Sequence, residues 1–291
     1  MRTIKIKYIA LAAALLSAIA CNHLRQHTET KDVRFIFLVD HVDAEVLKAF
    51  NTVLYTTVDP LKDALTQELP DGIASISFDV YSATEERAAP FVLTLNNRDD
   101  KMTLENKAVD FLKRLAQDTA RSPGTKSRYI LKTLKGILSD VDDSACIYRI
   151  ALFSGLYENS GPPNTEKDLE ESAKQGDYHF VNSDNVIIAA AVDTALKQLD
   201  DSTSWIYRDL IEKAHEKPWL ASVPIRLYAS VEEEPKAGEN GCDSRTIEEF
   251  WDKLFGKMNI PVQRKAHMSI SGFQFFSHKD RFIESTPSSP F

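Results

Sequence analysis

The stretch Val33-Arg-Phe-Ile-Phe-Leu-Val39, closed by Asp40, decides the fold. A strand with one wet face alternates apolar and polar residues. This run has apolar side chains at every position except Arg34, which predicts a strand buried on both faces, as in a parallel sheet. A later run reads the same way, Ile147-Tyr-Arg-Ile-Ala-Leu-Phe153, ending in Ser154-Gly155, and residues 224–231 read as a further strand. Helical patterning lies between them. Residues 42–69 carry Leu47, Phe50, Leu54, Leu61 and Leu65 at helical steps, with Asp59 placed to cap a second piece beginning at Pro60. Residues 103–120, 128–138, 186–199, 205–215 and 244–257 follow, the last bearing Ile247, Phe250, Trp251, Leu254 and Phe255. Strands alternating with helices predict an α/β fold, a mostly parallel central sheet with helices on both faces in Rossmann-type layers.

Other segments fit around that frame. Residues 74–81 alternate cleanly and predict a half-exposed strand, with residues 91–95 pairing to it as an edge hairpin. Residues 156–185 read as a polar, loop-rich insertion with a short helix near 166–174. A last strand is expected at 268–276, and the Ser/Pro-rich residues 285–291 read as a flexible tail.

The N-terminus sets the expected address. Arg2, Lys5 and Lys7 precede an apolar run over residues 8–20, and Ala18-Ile-Ala20 leads into Cys21. A basic start, a short apolar core and small residues form an export signal. At about 1.5 Å per residue the run reaches roughly 20 Å, short of the ~30 Å hydrocarbon core. The small residues before Cys21 resemble the lipobox of bacterial lipoproteins, although Ala18 stands where most have Leu. The resemblance implies that Cys21 is the lipid attachment site of an anchored protein of the bacterial cell envelope, at the outer membrane or periplasmic face. The expected layout is then a signal peptide over 1–20, a tether over 21–32, a single α/β domain over 33–284 and the tail. Removing residues 1–20 leaves 271 residues and takes the formal net charge from −8 to −11. Such an acidic chain lacks the basic footprint that phosphates demand, so no nucleic-acid partner is expected.

The order of elements and several strings resemble the von Willebrand factor type A family. Residues 33–40 are similar to its first strand, Arg149-Ile-Ala-Leu-Phe-Ser-Gly-Leu-Tyr-Glu-Asn-Ser160 to its fourth strand and following loop, and Ile247-Glu-Glu-Phe-Trp-Asp-Lys-Leu-Phe255 to a closing helix. The resemblance implies a cation site at the C-terminal ends of the strands, where oxygen ligands hold Mg²⁺. Here that site is degenerate. Asp40 keeps the first carboxylate and Asp43 lies beside it, but Val42 and Ala44 stand where two serines belong. Thr125 is a loose match for the second loop, and Ser154 matches the third, whose Asp position is Gly155. Asp40 otherwise reads as a strand-end residue capping the following helix. The fold implied also separates Cys146, at the bottom of the sheet, from Cys242 above it. A seven-residue strand spans about 23 Å, against the 4.4–6.8 Å Cα separation of about any disulfide, so no bond between them is expected.

Signatures of catalysis are scarce: there is no G-x-S-x-G elbow, no H-E-x-x-H helix and no P-loop. The expectation is a non-enzymatic module without a cofactor that binds a protein partner through strand-end loops and is held to the membrane by its lipid anchor. The alternatives are a metal-dependent adhesion module with a reworked site at Asp40 and Asp43, and an unrecognised exported α/β hydrolase using Asp40, Ser154 and His41.

Overall fold

The computed structural model describes residues 31–40, 73–84, 90–96, 98–121, 128–142, 146–160, 166–182, 184–228 and 235–265, together with Leu47. Its sheet has six strands: β1 (Lys31–Val39), β2 (Ile73–Ser82), β3 (Phe91–Asn96), β4 (Ile147–Phe153), β5 (Ile225–Tyr228) and β6 (Val262–Lys265). They lie in the order β3-β2-β1-β4-β5-β6. Every neighbouring pair is parallel except β2 with β3, which is antiparallel. The expected mostly parallel α/β sheet is therefore present, and β3 is its edge hairpin partner. The order is that of a doubly wound fold, whose switch point lies where β1 and β4 adjoin.

The longer α-helices among the described residues are α1 (Lys101–Arg121), α2 (Ile130–Asp140), α3 (Glu166–Lys174), α4 (Ala189–Gln198) and α5 (Ser244–Lys257). They cover both faces of the sheet. On one face Val33, Phe35, Phe37 and Val39 of β1 join Phe78, Phe153 and the Leu104, Ala108, Phe111 and Leu115 stripe of α1. Phe35 and Phe78 stack with ring centroids 5.2 Å apart. On the other, Ile36, Leu38, Ile150 and Leu152 meet α2, α4 and the Ile247, Phe250, Trp251, Leu254 and Phe255 face of α5. Apolar side chains on both faces of β1 explain why its sequence lacks alternation.

One expectation is corrected. Residues 74–81 are not half-exposed: Ser77 and Asp79 are buried. The polar face of β2 lies in the layer interior because Arg34, from the neighbouring strand, pairs with Asp79. Of the expected strand at 224–231, Ile225–Tyr228 form β5, and residues 229–231 lie outside the described residues. The expected helix at 205–215 is present, with a π-helical turn over Tyr207–Glu212 running into Lys213–His215. The sheet gains β6 at Val262–Lys265 directly after α5, whereas the expected strand at 268–276 lies outside the described residues. The expected helix at 42–69 also lies outside them, apart from Leu47, which is helical and packs against the α1 layer.

Candidate functional site

The C-terminal ends of β1 and β4 meet at the switch point, where open α/β sheets place their ligands. There Asp40 and Ser154 are brought together, both buried. One oxygen of each shapes the loop. Asp40 Oδ2 accepts from Gly155 N at 3.0 Å, and Ser154 Oγ accepts from Leu156 N at 2.8 Å. Leu156 takes a left-handed conformation with φ of 62°, and its carbonyl accepts from Trp251 Nε1 at 2.8 Å. Asp40 thus braces the β4 loop through Gly155 N.

Gly155 occupies the position where the resemblance calls for a third-loop carboxylate. A Cβ built there falls 2.7 Å from Cε2 of Tyr157, so the tyrosine ring takes the space of a side chain. Among the described residues, no group of three His, Cys, Asp or Glu side chains is arranged to hold a metal. Asp43, Thr125 and His41 lie outside the described residues, as does the lipid-attachment candidate Cys21.

Behind this loop stands Glu158, which has no exposed surface. Its position follows from a defect in α2. The residue before that helix, Tyr129, offers no side-chain cap, so the first backbone N–H groups need acceptors from elsewhere. Glu158 Oε2 accepts from Leu131 N at 2.9 Å, and Ser160 Oγ lies 2.5 Å from Oε1. Burial pushes this carboxyl up to about 8, against the pull of its hydrogen bonds, and the nearby Asp40 charge pushes the same way. At neutral pH Glu158 is a protonated acid.

Glu158 also sits in a ladder that the polarity of residues 156–185 concealed. Isolated bridges join Arg128 to Asn159, Asn159 to His179, Val181 to Ile187 and Val186 to Lys236. Arg128 N donates to Asn159 O at 2.7 Å, Phe180 N to Glu158 O at 2.8 Å, and Ser160 N to Tyr178 O at 3.0 Å. Glu158, Ser160, Tyr178 and Phe180 are all buried. Arg128, Asn159 and His179, directly opposite one another, share the other face of the ladder. The described residues of the insertion therefore form a braced platform following β4. Sequence reasoning missed Glu158 and His179. The usable signal was the uncapped start of α2, which requires a buried acceptor from another segment.

The cysteines lie apart in role as well as in sequence. Cys146 Sγ donates to Asp32 O at 3.1 Å beside the start of β1, while Cys242 is buried in the core, and no disulfide joins them.

No protein-family model matches this chain, and no curated protein does either. Among solved structures, the pilus adhesin SpaC from Lactobacillus rhamnosus GG, in its open conformation, aligns with 84% of this chain and 29% of its own. The identity is 10% and the TM-score 0.39. The human COPII-coat protein Sec24c aligns with 84% of this chain and 31% of its own, at 10% identity and a TM-score of 0.33. The chain thus spans under a third of the length of each. Likeness at this level identifies neither a family nor an activity. The sheet and its layers define the class of the protein as a mixed α/β fold.

Proposed function

We propose that this chain is an exported, lipid-anchored module of the bacterial cell envelope that binds a partner protein through the platform at the strand ends. The observation that carries the reading is the ladder itself. A connection that reads as loop is tied to α2 by Glu158 and to the core by Tyr178 and Phe180. Pre-organised loops lose less conformational entropy on binding and are suited to recognition. The address comes from the basic start, apolar run and small residues before Cys21. Two acyl chains at that cysteine would supply a lasting anchor. A metal-bridged adhesion has less support, because Asp40 Oδ2 and Ser154 Oγ accept backbone N–H groups and Tyr157 fills the place beside Gly155.

The test is cross-linking in intact cells followed by affinity capture, with wild type, Cys21→Ala and a platform variant, Asn159→Arg. A discrete partner captured by wild type and lost in Asn159→Arg supports the reading. Loss in Cys21→Ala adds that anchoring is required. A cross-linking pattern unchanged by Asn159→Arg refutes recognition through the platform.

A further inference from the structure

The strand β3 stands at one end of the sheet order, and among the described residues no strand lies on its outer side. An edge strand presents its outward N–H and C=O groups to any chain that can extend the sheet. The hazard is greatest for a short β-prone segment without charge, glycine or proline, because identical segments then pair with one another. Phe91-Val-Leu-Thr-Leu-Asn96 is such a segment. Val92 is 43% exposed, and Thr94, two residues on and on the same face, is exposed as well.

Side chains meet the outward groups of this strand. Arg114 Nη2 donates to Val92 O at 3.3 Å, Lys107 Nζ donates to Thr94 O at 3.3 Å, and Asn96 N donates to Asp99 Oδ2 at 3.1 Å. Backbone groups of alternate residues point to one side of an antiparallel strand. At residues 92, 94 and 96 these bonds go to α1 and to the turn after β3, which makes that side the outer edge. The arrangement follows from the chain path. Residues 97–100 alone separate β3 from α1, so the helix runs back along the strand. Lys107 and Arg114, two helical turns apart on one face of α1, then meet Thr94 and Val92 in turn. Asp99 Oδ2 also takes Lys107 Nζ at 2.6 Å, and this bond holds the Asp99 carboxyl below its usual range.

For a second β3 to pair here, its N–H groups must take Val92 O and Thr94 O from the two cations. Antiparallel self-pairing centred on Thr94 also brings Lys107 of both copies to the same point of the seam. Like charges placed opposite one another destabilise a strand pair. We propose that Asp99, Lys107 and Arg114 form an edge guard, which caps the outward backbone of β3 and keeps that strand from pairing with β3 of a second copy of this chain. The guard sits on α1 and its turn, and it is independent of how the platform after β4 is used.

The test is sedimentation velocity on the full-length chain in detergent, over a concentration series. Lys107→Met/Arg114→Met keeps the apolar stems and removes both cations. Lys113→Met/Lys253→Met removes the same charge from exposed positions that cap no strand. The guard variant is expected to dimerise at least about tenfold more tightly than wild type and the control. Adding Thr94→Pro removes an outward N–H that pairing needs, at an edge position where proline is tolerated, and should abolish the gain. Should the Met pair fail to fold, Lys107→Gln/Arg114→Gln carries the same comparison. A guard variant that associates no more than the control overturns the proposal. So does a gain that survives Thr94→Pro, since the contact then lies elsewhere, or a wild-type dimer that Thr94→Pro dissociates, since the edge is then unguarded.

Discussion

Replacing Glu158 with Gln should change the pH dependence of stability more than any other single substitution in the described core. The acid has an ordinary value of 4.5 and a folded value of about 8. Between those limits the native state holds a proton that the unfolded chain has released, so stability is greatest at low pH and falls as pH rises. The slope is about 1.4 kcal/mol per pH unit, and across the window the loss reaches about 5 kcal/mol. That is comparable with the whole stability of many domains. Gln reproduces the protonated acid. Its carbonyl oxygen can accept from Leu131 N as Oε2 does, and its amide nitrogen stands where Oε1 accepts from Ser160 Oγ, a hydroxyl that can rotate to accept instead. Wild type and Glu158→Gln should therefore be similar near pH 5, within about 1 kcal/mol. Above pH 8 the variant should be the more stable by several kcal/mol. Urea unfolding at intervals from pH 5 to pH 9 measures this directly, because titrations elsewhere cancel in the difference. Identical pH slopes for the two proteins would refute the assignment of Glu158 as a buried neutral acid.

Three further substitutions probe the frame around the site. Gly155→Ala places a Cβ against the Tyr157 ring, 2.7 Å away, and should cost about 1–3 kcal/mol in thermal unfolding, as overpacking does; a neutral result would mean that the ring is free to move. Lys217 Nζ donates to Leu138 O and Val141 O at 2.6 and 2.9 Å, closing the C-terminal end of α2. Lys217→Met keeps the stem and loses the bonds, so a cost of about 1–3 kcal/mol is expected by chemical denaturation. Asp243 caps α5 by accepting from Arg245 N at 3.0 Å, and Asp243→Ala should lower stability by about 1 kcal/mol at pH 7; an unchanged midpoint would show that the cap contributes nothing.

Much of the frame was legible from local pattern. β4 spans Ile147–Phe153 and α5 spans Ser244–Lys257, the same bounds their apolar runs predict. The short helix Glu166–Lys174 was equally plain within its polar surroundings. Pattern failed where the environment of a residue comes from a distant segment. Ser77 and Asp79 follow the rhythm of a wet strand face, yet Arg34 lies across from them and neutralises Asp79. The polar insertion reads as loop because its bridges are single pairs between segments far apart in sequence, with no periodicity to detect. Asp40 and Ser154 were identified as neighbours, but their bonding to Gly155 N and Leu156 N depends on how the β4 loop turns.

The sequence by itself determined the α/β class, the buried character of β1 and β4 and the packing face of α5, because burial on both faces or one stripe imposes a period on the residues. Only the tertiary structure decided that β6 follows α5, that Tyr157 occupies the space beside Gly155 and that Glu158 supplies the missing cap of α2. Strand order and the environment of a buried acid arise from contacts between segments that carry no mark of each other in the chain. The protonation of Glu158 is the clearest case: the residue type is written at position 158, and its desolvation is produced by the core that closes over it.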